Sequence, residues 1–144
     1  MENNEQITLV LVKPDGVRRG LIGEVIGRLE RKKLKIRELR MLRIDKELAG
    51  QHYAEHSERP FFPELIEFIT SGDVVAMAVQ GEKAVSVVRT LMGETDPKNS
   101  PPGTLRGDFG LEIRQNIVHG SDSEESAARE LNLYFPDLGS GRAP

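Results

Sequence analysis

Val74-Val75-Ala76-Met77-Ala78-Val79 is the longest apolar run of the sequence, and no polar residue interrupts it. A strand with this pattern is expected to be covered on both faces. The run is far shorter than the ~20 residues that a membrane-spanning helix needs. β-branched, aliphatic or alternating residues predict further strands at 7–12, 34–41 and 117–119. A break in the alternation between Ile36 and Leu39 predicts a β-bulge.

Helical spacing of apolar residues predicts the elements that connect these strands. The helices are expected from 21 to the basic run at 31–33, from the capping residue Asp45 towards His56, from Pro63 to Gly72, at 84–92 and at 123–133. The proline- and glycine-rich stretch from 93 to 111 is expected to be a long, functional loop. The order β-α-β-α-α-β-α-loop-β-α is typical of an α+β fold. We therefore predict a ferredoxin-like βαββαβ sandwich with a four-stranded antiparallel sheet, helices on one face and extra helices.

The composition limits the classes of protein to which this chain could belong. The 144 residues, 38% hydrophobic and 30% charged, suit a single domain at 1–144 with a short polar N-terminus at 1–6 and a flexible tail at 137–144. The net charge of −3 gives no general attraction to nucleic acid or anionic lipid. The absence of cysteine excludes a disulfide framework and thiol catalysis. The first six residues do not resemble a signal peptide, so we expect a cytoplasmic protein.

The stretch Asn116-Ile117-Val118-His119-Gly120-Ser121-Asp122-Ser123 places a histidine just before a predicted helix. The free N–H groups at a helix N-terminus attract anions. A histidine that is largely neutral near pH 7 can act as a nucleophile, so the stretch indicates phosphoryl transfer. It equally fits a core histidine followed by a capped helix, with Asp122 and Glu125 as a capping box.

Other residues suit a phosphate site, although neither a P-loop nor a G-x-G-x-x-G motif is present. Side chains would therefore have to hold a nucleotide, and the candidates are Lys13, His56, Arg89 and Arg106. Glu130, two predicted turns into the last helix, could orient the imidazole of His119.

Two further pairs of residues are weaker candidates for a binding site. His52 and His56 are spaced to share a metal ion, but no third ligand lies nearby in the sequence. Phe61 and Phe62, between two prolines, form either a core corner or a surface that stacks on a nucleobase.

Taken together, several motifs resemble the nucleoside diphosphate kinase family over nearly the whole chain. These motifs are Lys13-Pro14-Asp15-Gly16-Val17, Tyr53-Ala54-Glu55-His56, Arg59-Pro60-Phe61-Phe62, Met92-Gly93-Glu94-Thr95, the run Pro102-Gly103-Thr104-Leu105-Arg106-Gly107-Asp108-Phe109, and 116–123. The resemblance implies a ping-pong exchange. In it, His119 would take the γ-phosphate of a nucleoside triphosphate and pass it to a nucleoside diphosphate, with little base specificity.

The resemblance also implies a role for each matched residue. Catalysis would fall to His119, Glu130, Ser121 and Lys13. Nucleotide binding would fall to Lys13, Tyr53, His56, Phe61, Leu65, Arg89, Thr95, Arg106, Ile113 and Asn116. Within that set, Phe61 would stack on the base, and Asn116 with Lys13 would meet the ribose. Mg²⁺ would arrive on the nucleotide phosphates with no protein metal site, and the chain would form a homo-oligomer, a tetramer or hexamer. The pair Arg114-Gln115 departs from the glycine-arginine pair common in the family.

Two other function classes stay open at this point. The basic segment from Arg28 to Arg43 suits a nucleic-acid-binding module, but no aromatic residue interleaves with it as a stacking platform would. A regulatory domain that binds a nucleotide without turnover is the other alternative, and it would have no need of a nucleophile.

Overall fold

The fold is built on one antiparallel sheet, which a computed structural model describes together with its helices over residues 4–138. The strands are β1 (Glu5–Val12), β2 (Lys35–Arg43), β3 (Asp73–Glu82) and β4 (Val118–Gly120), in the order β2-β3-β1-β4. Every neighbouring pair is antiparallel. This is the strand order of a βαββαβ sandwich, so the predicted α+β fold is confirmed.

The helices mostly lie where their apolar spacing predicts them. They are α1 (Pro14–Arg18), α2 (Ile22–Arg31), α3 (Lys46–His52), α4 (Phe62–Ile69), α5 (Ala84–Met92), α6 (Leu105–Phe109) and α7 (Glu124–Tyr134), with 3₁₀ turns at Ala54–His56 and Pro97–Asn99. The sequence reading missed α1 and placed α6 inside an irregular loop. Both have only five residues, too few for a helical period to show. Local caps define them instead: Pro14 begins α1, and the Thr104 hydroxyl accepts a bond from the Gly107 N–H at the start of α6.

The sheet is covered on both faces, which confirms the interpretation of 74–79 and corrects the expectation of helices on one face. Val10, Val12 and the residues of β3 that share their face pack with Val25 and Leu29 of α2 and Val88 of α5. Leu9 and Leu11 point to the opposite side and pack with residues of α3, α4 and α7. The extra helices supply this second layer, and strict alternation along β1 divides its side chains between the two cores.

Several local features decide how the sheet ends. The register shift between Ile36 and Glu38 confirms the predicted bulge. β2 is an edge strand, and Leu39 and Met41 on it are 49% and 55% exposed. Asp45 caps α3 by accepting the Leu48 N–H, as predicted. No helix among residues 4–138 is long and apolar enough to cross a bilayer.

The expected capping box at 122–125 is wrong, because Ser123 caps α7 by accepting the Ser126 N–H at 3.0 Å. At the N-terminus, β1 already begins at Glu5, within the short polar segment expected at 1–6. Of the flexible tail expected at 137–144, Leu138 packs against the second core, and 139–144 lie outside the described residues.

Candidate active site

The candidate site forms where β1 and β4 lie side by side. β1 ends at Val12, so Lys13 follows it directly, and His119 on β4 pairs with Leu11 of β1. Helix α7 begins at Glu124, five residues after His119, and Glu130 on that helix bonds to the ring. The pairing of β1 with β4 therefore brings Lys13, from early in the sequence, close to His119 and Glu130, from late in the sequence.

His119 is held by Glu130 on one side of its ring. The Nε2 atom lies 2.9 Å from Oε1 of Glu130, and the same oxygen accepts a bond from the Ser121 hydroxyl at 2.7 Å. Burial opposes ionisation of Glu130, but the bonds from His119 and Ser121 and the nearby imidazoles outweigh it, so the pKa of Glu130 is lowered. An ionised carboxylate can only accept, which places the proton of the neutral ring on Nε2 and leaves the lone pair on Nδ1.

A second histidine, His52, packs edge-on against His119 with 4.6 Å between the ring centroids. It is buried, and its Nδ1 lies 3.1 Å from the hydroxyl of the buried Tyr134. Burial, with a smaller effect of His119, lowers the pKa of His52 to about 3. A neutral, fixed ring therefore lies beside the candidate nucleophile. The sequence reading treated His52 only as half of a metal-binding pair, and only its apolar surroundings in α3 could have indicated this core position.

Cationic groups lie on the other side of the site. Lys13 donates from Nζ to Oδ1 of Asn116 at 2.8 Å. Burial and the nearby Arg106 lower the pKa of Lys13 to about 8, although Asp15 acts in the opposite direction. Burial and Arg89 lower the pKa of Arg106 to about 10. A pocket that depresses the pKa of its own cations is one in which an anion gains free energy by binding.

The backbone between Asn116 and Val118 makes a tight turn. The Val118 N–H donates to the Asn116 carbonyl at 2.8 Å, and Ile117 between them has a φ of 78°. This three-residue γ-turn with positive φ is rare, and for a β-branched residue it carries a strain of about 1–3 kcal/mol. The guanidinium of Arg106 donates to the carbonyls on both sides of the turn, at 3.3 Å and 2.8 Å.

These groups line a cavity of about 250 Å³ in front of His119. Most of the predicted site residues line it: Lys13, Tyr53, His56, Arg89, Thr95, Arg106, Asn116, His119 and Glu130. His52, Glu55 and Asp122 line it as well and were not predicted. Ser121 is completely buried behind Glu130 and reaches the site only through that carboxylate.

The predicted base-binding residues lie outside this cavity. The ring of Phe61 is 5.8 Å from that of His56, at the side of the site. Arg114 lies over the Phe61 ring, 5.0 Å from its centroid, and its Nε is 3.2 Å from Glu64. Leu65 is half-buried on α4, and Ile113 is 48% exposed. The guanidinium of Arg114 thus covers one face of the Phe61 ring.

The described residues contain one cluster with three candidate metal ligands, formed by His52, His119 and Glu130 within 4.8 Å of one another. His56, whose spacing from His52 could have suited a shared metal ion, does not belong to it. Glu130 and His119 already bond to each other, and His52 bonds to Tyr134. Nδ1 of His56 is buried and has no hydrogen-bond partner among residues 4–138, although the residue lines the cavity.

Comparisons with known proteins point to one family. The family model described as "Nucleoside diphosphate kinase" matches residues 6–139. A nucleoside diphosphate kinase from Archaeoglobus fulgidus is 62% identical over 130 residues, which cover 90% of this chain and 86% of that protein. One from Rubrobacter xylanophilus is 65% identical over 128 residues, covering 89% and 96%.

Solved structures agree with the sequence relatives. A halophilic nucleoside diphosphate kinase from Halobacterium salinarum, solved in complex with CDP, superposes with a TM-score of 0.90 at 51% identity, covering 93% of this chain and 90% of that one. A nucleoside diphosphate kinase family protein from Babesia bovis has a TM-score of 0.90 at 45% identity, covering 92% and 90%.

Proposed function

Because the chain belongs to the nucleoside diphosphate kinase family, it transfers the terminal phosphate of nucleoside triphosphates to nucleoside diphosphates, and we propose that His119 carries the phosphoryl group between them. The observation that carries this proposal is the geometry of one ring. Nε2 of His119 is held by Glu130 at 2.9 Å, while the ring lines a cavity together with Lys13, Arg89 and Arg106.

In the proposed first half-reaction, Nδ1 of His119 attacks the γ-phosphorus. The bond from Nδ1 to phosphorus forms while the bond from phosphorus to the bridging β-oxygen breaks, and the diphosphate leaves. The ring becomes cationic with its proton still on Nε2, and the ionised Glu130 stabilises that charge through the 2.9 Å bond. In the second half-reaction, a terminal oxygen of another diphosphate attacks the same phosphorus and Nδ1 is released.

The cations of the cavity stabilise the charge on the transferred group. Phosphoryl transfer requires positioning and charge compensation more than covalent help, and Lys13, Arg89 and Arg106 supply both. We propose that Tyr53, His56 and Thr95 add polar contacts to the phosphates, and that Asn116 and Lys13 meet the ribose. The unpartnered Nδ1 of His56 and the bond between Lys13 and Asn116 support these assignments.

Mg²⁺ is proposed to enter with the nucleotide. It prefers carboxylate and phosphate oxygens, and Glu55 and Asp122 line the same cavity as the three cations. When bound, the ion would neutralise charge on the β- and γ-phosphates. Glu130, the third carboxylate that lines this cavity, already bonds to His119 and Ser121, so the ion would be held chiefly by the nucleotide.

Base binding is proposed for Phe61, Leu65 and Ile113, which offer apolar surface at the side of the site. Stacking on an aromatic face does not read base edges, so this arrangement supports low base specificity. Arg114 over Phe61 would have to be displaced by a base that stacks on that face.

Arg114→Ala is therefore expected to lower the KM for nucleotides roughly 2- to 5-fold, because an exposed cation–π contact is worth about 0.5–1 kcal/mol. Steady-state kinetics with several bases measures this. Arg43→Ala is the matched control, since Arg43 pairs with Asp73 on the surface. Inhibition by inorganic pyrophosphate should be unchanged in both variants. A raised nucleotide KM would mean that Arg114 helps to hold the nucleotide.

We further propose a homo-oligomer of single-domain chains that works in the cytoplasm. Exposed Leu39 and Met41 on the open edge strand β2 support the oligomer, because apolar side chains on a free edge are usually covered. The cysteine-free composition supports the location.

Brief incubation with [γ-³²P]ATP tests the proposed intermediate. The protein should become labelled, and the label should be lost in acid but survive alkali, as a phosphoramidate does and a phosphoserine does not. Addition of an unlabelled diphosphate should remove the label as the triphosphate. A label that survives acid, or none that the diphosphate can discharge, would contradict transfer through His119.

A further inference from the structure

The strained turn at Ile117 is fastened to the segment that follows β1. The Ile117 N–H donates to Oδ2 of Asp15 at 3.0 Å, and the Ile117 carbonyl accepts the Lys13 N–H at 2.8 Å. Both peptide groups that flank the Ile117 Cα are thus bonded to residues 13–15. Among the described residues, Asp15 supplies the side chain that bonds to the Ile117 backbone.

The two segments also touch closely. A Cβ at Gly16 would lie 2.9 Å from the Ile117 carbonyl oxygen and 3.0 Å from its side chain. Only a glycine lets the first turn of α1 approach the Ile117 backbone at this distance. The first turn of α1 therefore packs directly against the Ile117 backbone.

Asp15 is an energetically unfavourable residue for a contact that has only a structural role. Its side chain is buried, at 5% exposure, and its Oδ1 has no hydrogen-bond partner within residues 4–138. A buried carboxylate with one unpaired oxygen costs free energy compared with a smaller neutral acceptor. Asp15 does not line the cavity of His119, so it has no direct contact with the proposed substrate.

The turn determines where the site residues lie. On one side of Ile117, the Asn116 amide bonds to Nζ of Lys13 at 2.8 Å and to the Thr95 carbonyl at 2.9 Å. On the other side, β4 starts at Val118 and carries His119 opposite Leu11. A relaxed φ at Ile117 would rotate Asn116 away from Lys13 and change the direction in which β4 leaves the turn.

We propose that Asp15 is a positioning residue: its carboxylate holds the strained γ-turn at Ile117, and that turn keeps Asn116 on Lys13 and His119 on Glu130. This inference rests on the proposed function, since it concerns the same nucleophile. Asp15 acts through the backbone of Ile117, on the rate of transfer more than on nucleotide affinity.

The test compares Asp15→Ala, Asp15→Asn, Ile117→Gly and the Asp15→Ala/Ile117→Gly double variant. Asp15→Ala should lower kcat about 10- to 100-fold, because a small misplacement of reacting groups has that effect, and should raise KM by a smaller factor as Asn116 moves away from the ribose. Asp15→Asn should stay within about 3-fold of the parent, since an amide oxygen can still accept the Ile117 N–H. Glycine adopts a positive φ without strain, so Ile117→Gly should restore at least about 10-fold of the loss in the double variant.

A matched control separates positioning from stability. Asp45→Ala removes another carboxylate that accepts a backbone N–H. Asp45 lies at the N-terminus of α3, the opposite end from His52, so this variant should lower the melting temperature without lowering kcat. If Asp15→Ala does not fold, Asp15→Asn still decides, because a large loss of kcat in it would overturn the acceptor role.

The outcomes distinguish this inference from the function on which it rests. A parent protein that forms no acid-labile label would overturn the transfer through His119. A parent that labels normally, beside an Asp15→Ala variant with parental kcat or one that Ile117→Gly does not rescue, would overturn the positioning role alone.

Discussion

His119→Ala is expected to lower the exchange between ATP and dTDP by at least about 10⁴-fold, because it removes the atom that carries the phosphoryl group. The three cations and the polar groups of the cavity remain, so binding should survive where chemistry does not. A coupled assay of dTTP formation measures the exchange, and [γ-³²P]ATP labelling measures the intermediate. Both signals should vanish together.

Binding of ADP, followed by calorimetry, is the control for the alanine variant. We expect a Kd within about 3-fold of the parent, since the ring itself is a minor part of the proposed phosphate site. His119→Gln, which fills more of the same space, should be as inactive as the alanine variant. Parental exchange in either variant would refute the assignment of the nucleophile.

Glu130→Gln is expected to lower kcat by about 10²–10⁴-fold. The carboxylate accepts bonds from both His119 and Ser121 at one oxygen, and its other oxygen lies 3.7 Å from Arg129. An amide nitrogen is repelled by that arginine and would turn towards the imidazole. It would then donate to Nε2, move the ring proton to Nδ1 and so block the attacking lone pair. Even in the other orientation, the negative charge that stabilises the cationic ring is lost.

Glu124→Gln is the matched change for this experiment, because Glu124 is an exposed glutamate in the first turn of the same helix. It should leave kcat unchanged. The labelling assay then locates the defect: Glu130→Gln should form phosphoenzyme slowly while its ADP affinity stays close to that of the parent. Parental kcat in Glu130→Gln would mean that Ser121 and the packed His52 suffice to orient the ring.

The sheet could be predicted from the sequence because the pattern of apolar and polar residues marks its strands. β3 is apolar and buried from Val74 to Val79, and β2 alternates in sequence and lies at the edge. The two-sided helical cover was not predicted, because periodicity shows that a helix has an apolar stripe and not which face of the sheet it meets. α1 and α6 were missed because five residues complete too little of a helical period.

The candidate site also contains some residues that the sequence indicated and others that only the structure shows. The order of His119, Gly120 and the residues that follow indicated a nucleophile near a helix start, but it did not tell a core histidine from a catalytic one. The resemblance to a family joined Lys13, Arg89 and Arg106 into one site. His52 and Asp15 escaped because their roles depend on partners 82 and 102 positions away, Tyr134 and Ile117, which only the folded chain brings near.

The ring of His119 is fastened to the sheet through β4 and to α7 through Glu130, so it cannot swing between two separate binding places. In the proposed transfer through His119, donor and acceptor then bind at the same place in turn, and each can bind only after the other has left. A surplus of nucleoside diphosphate would occupy the unphosphorylated form of the protein and inhibit the cycle. The turnover rate would therefore respond to the ratio of diphosphate to triphosphate.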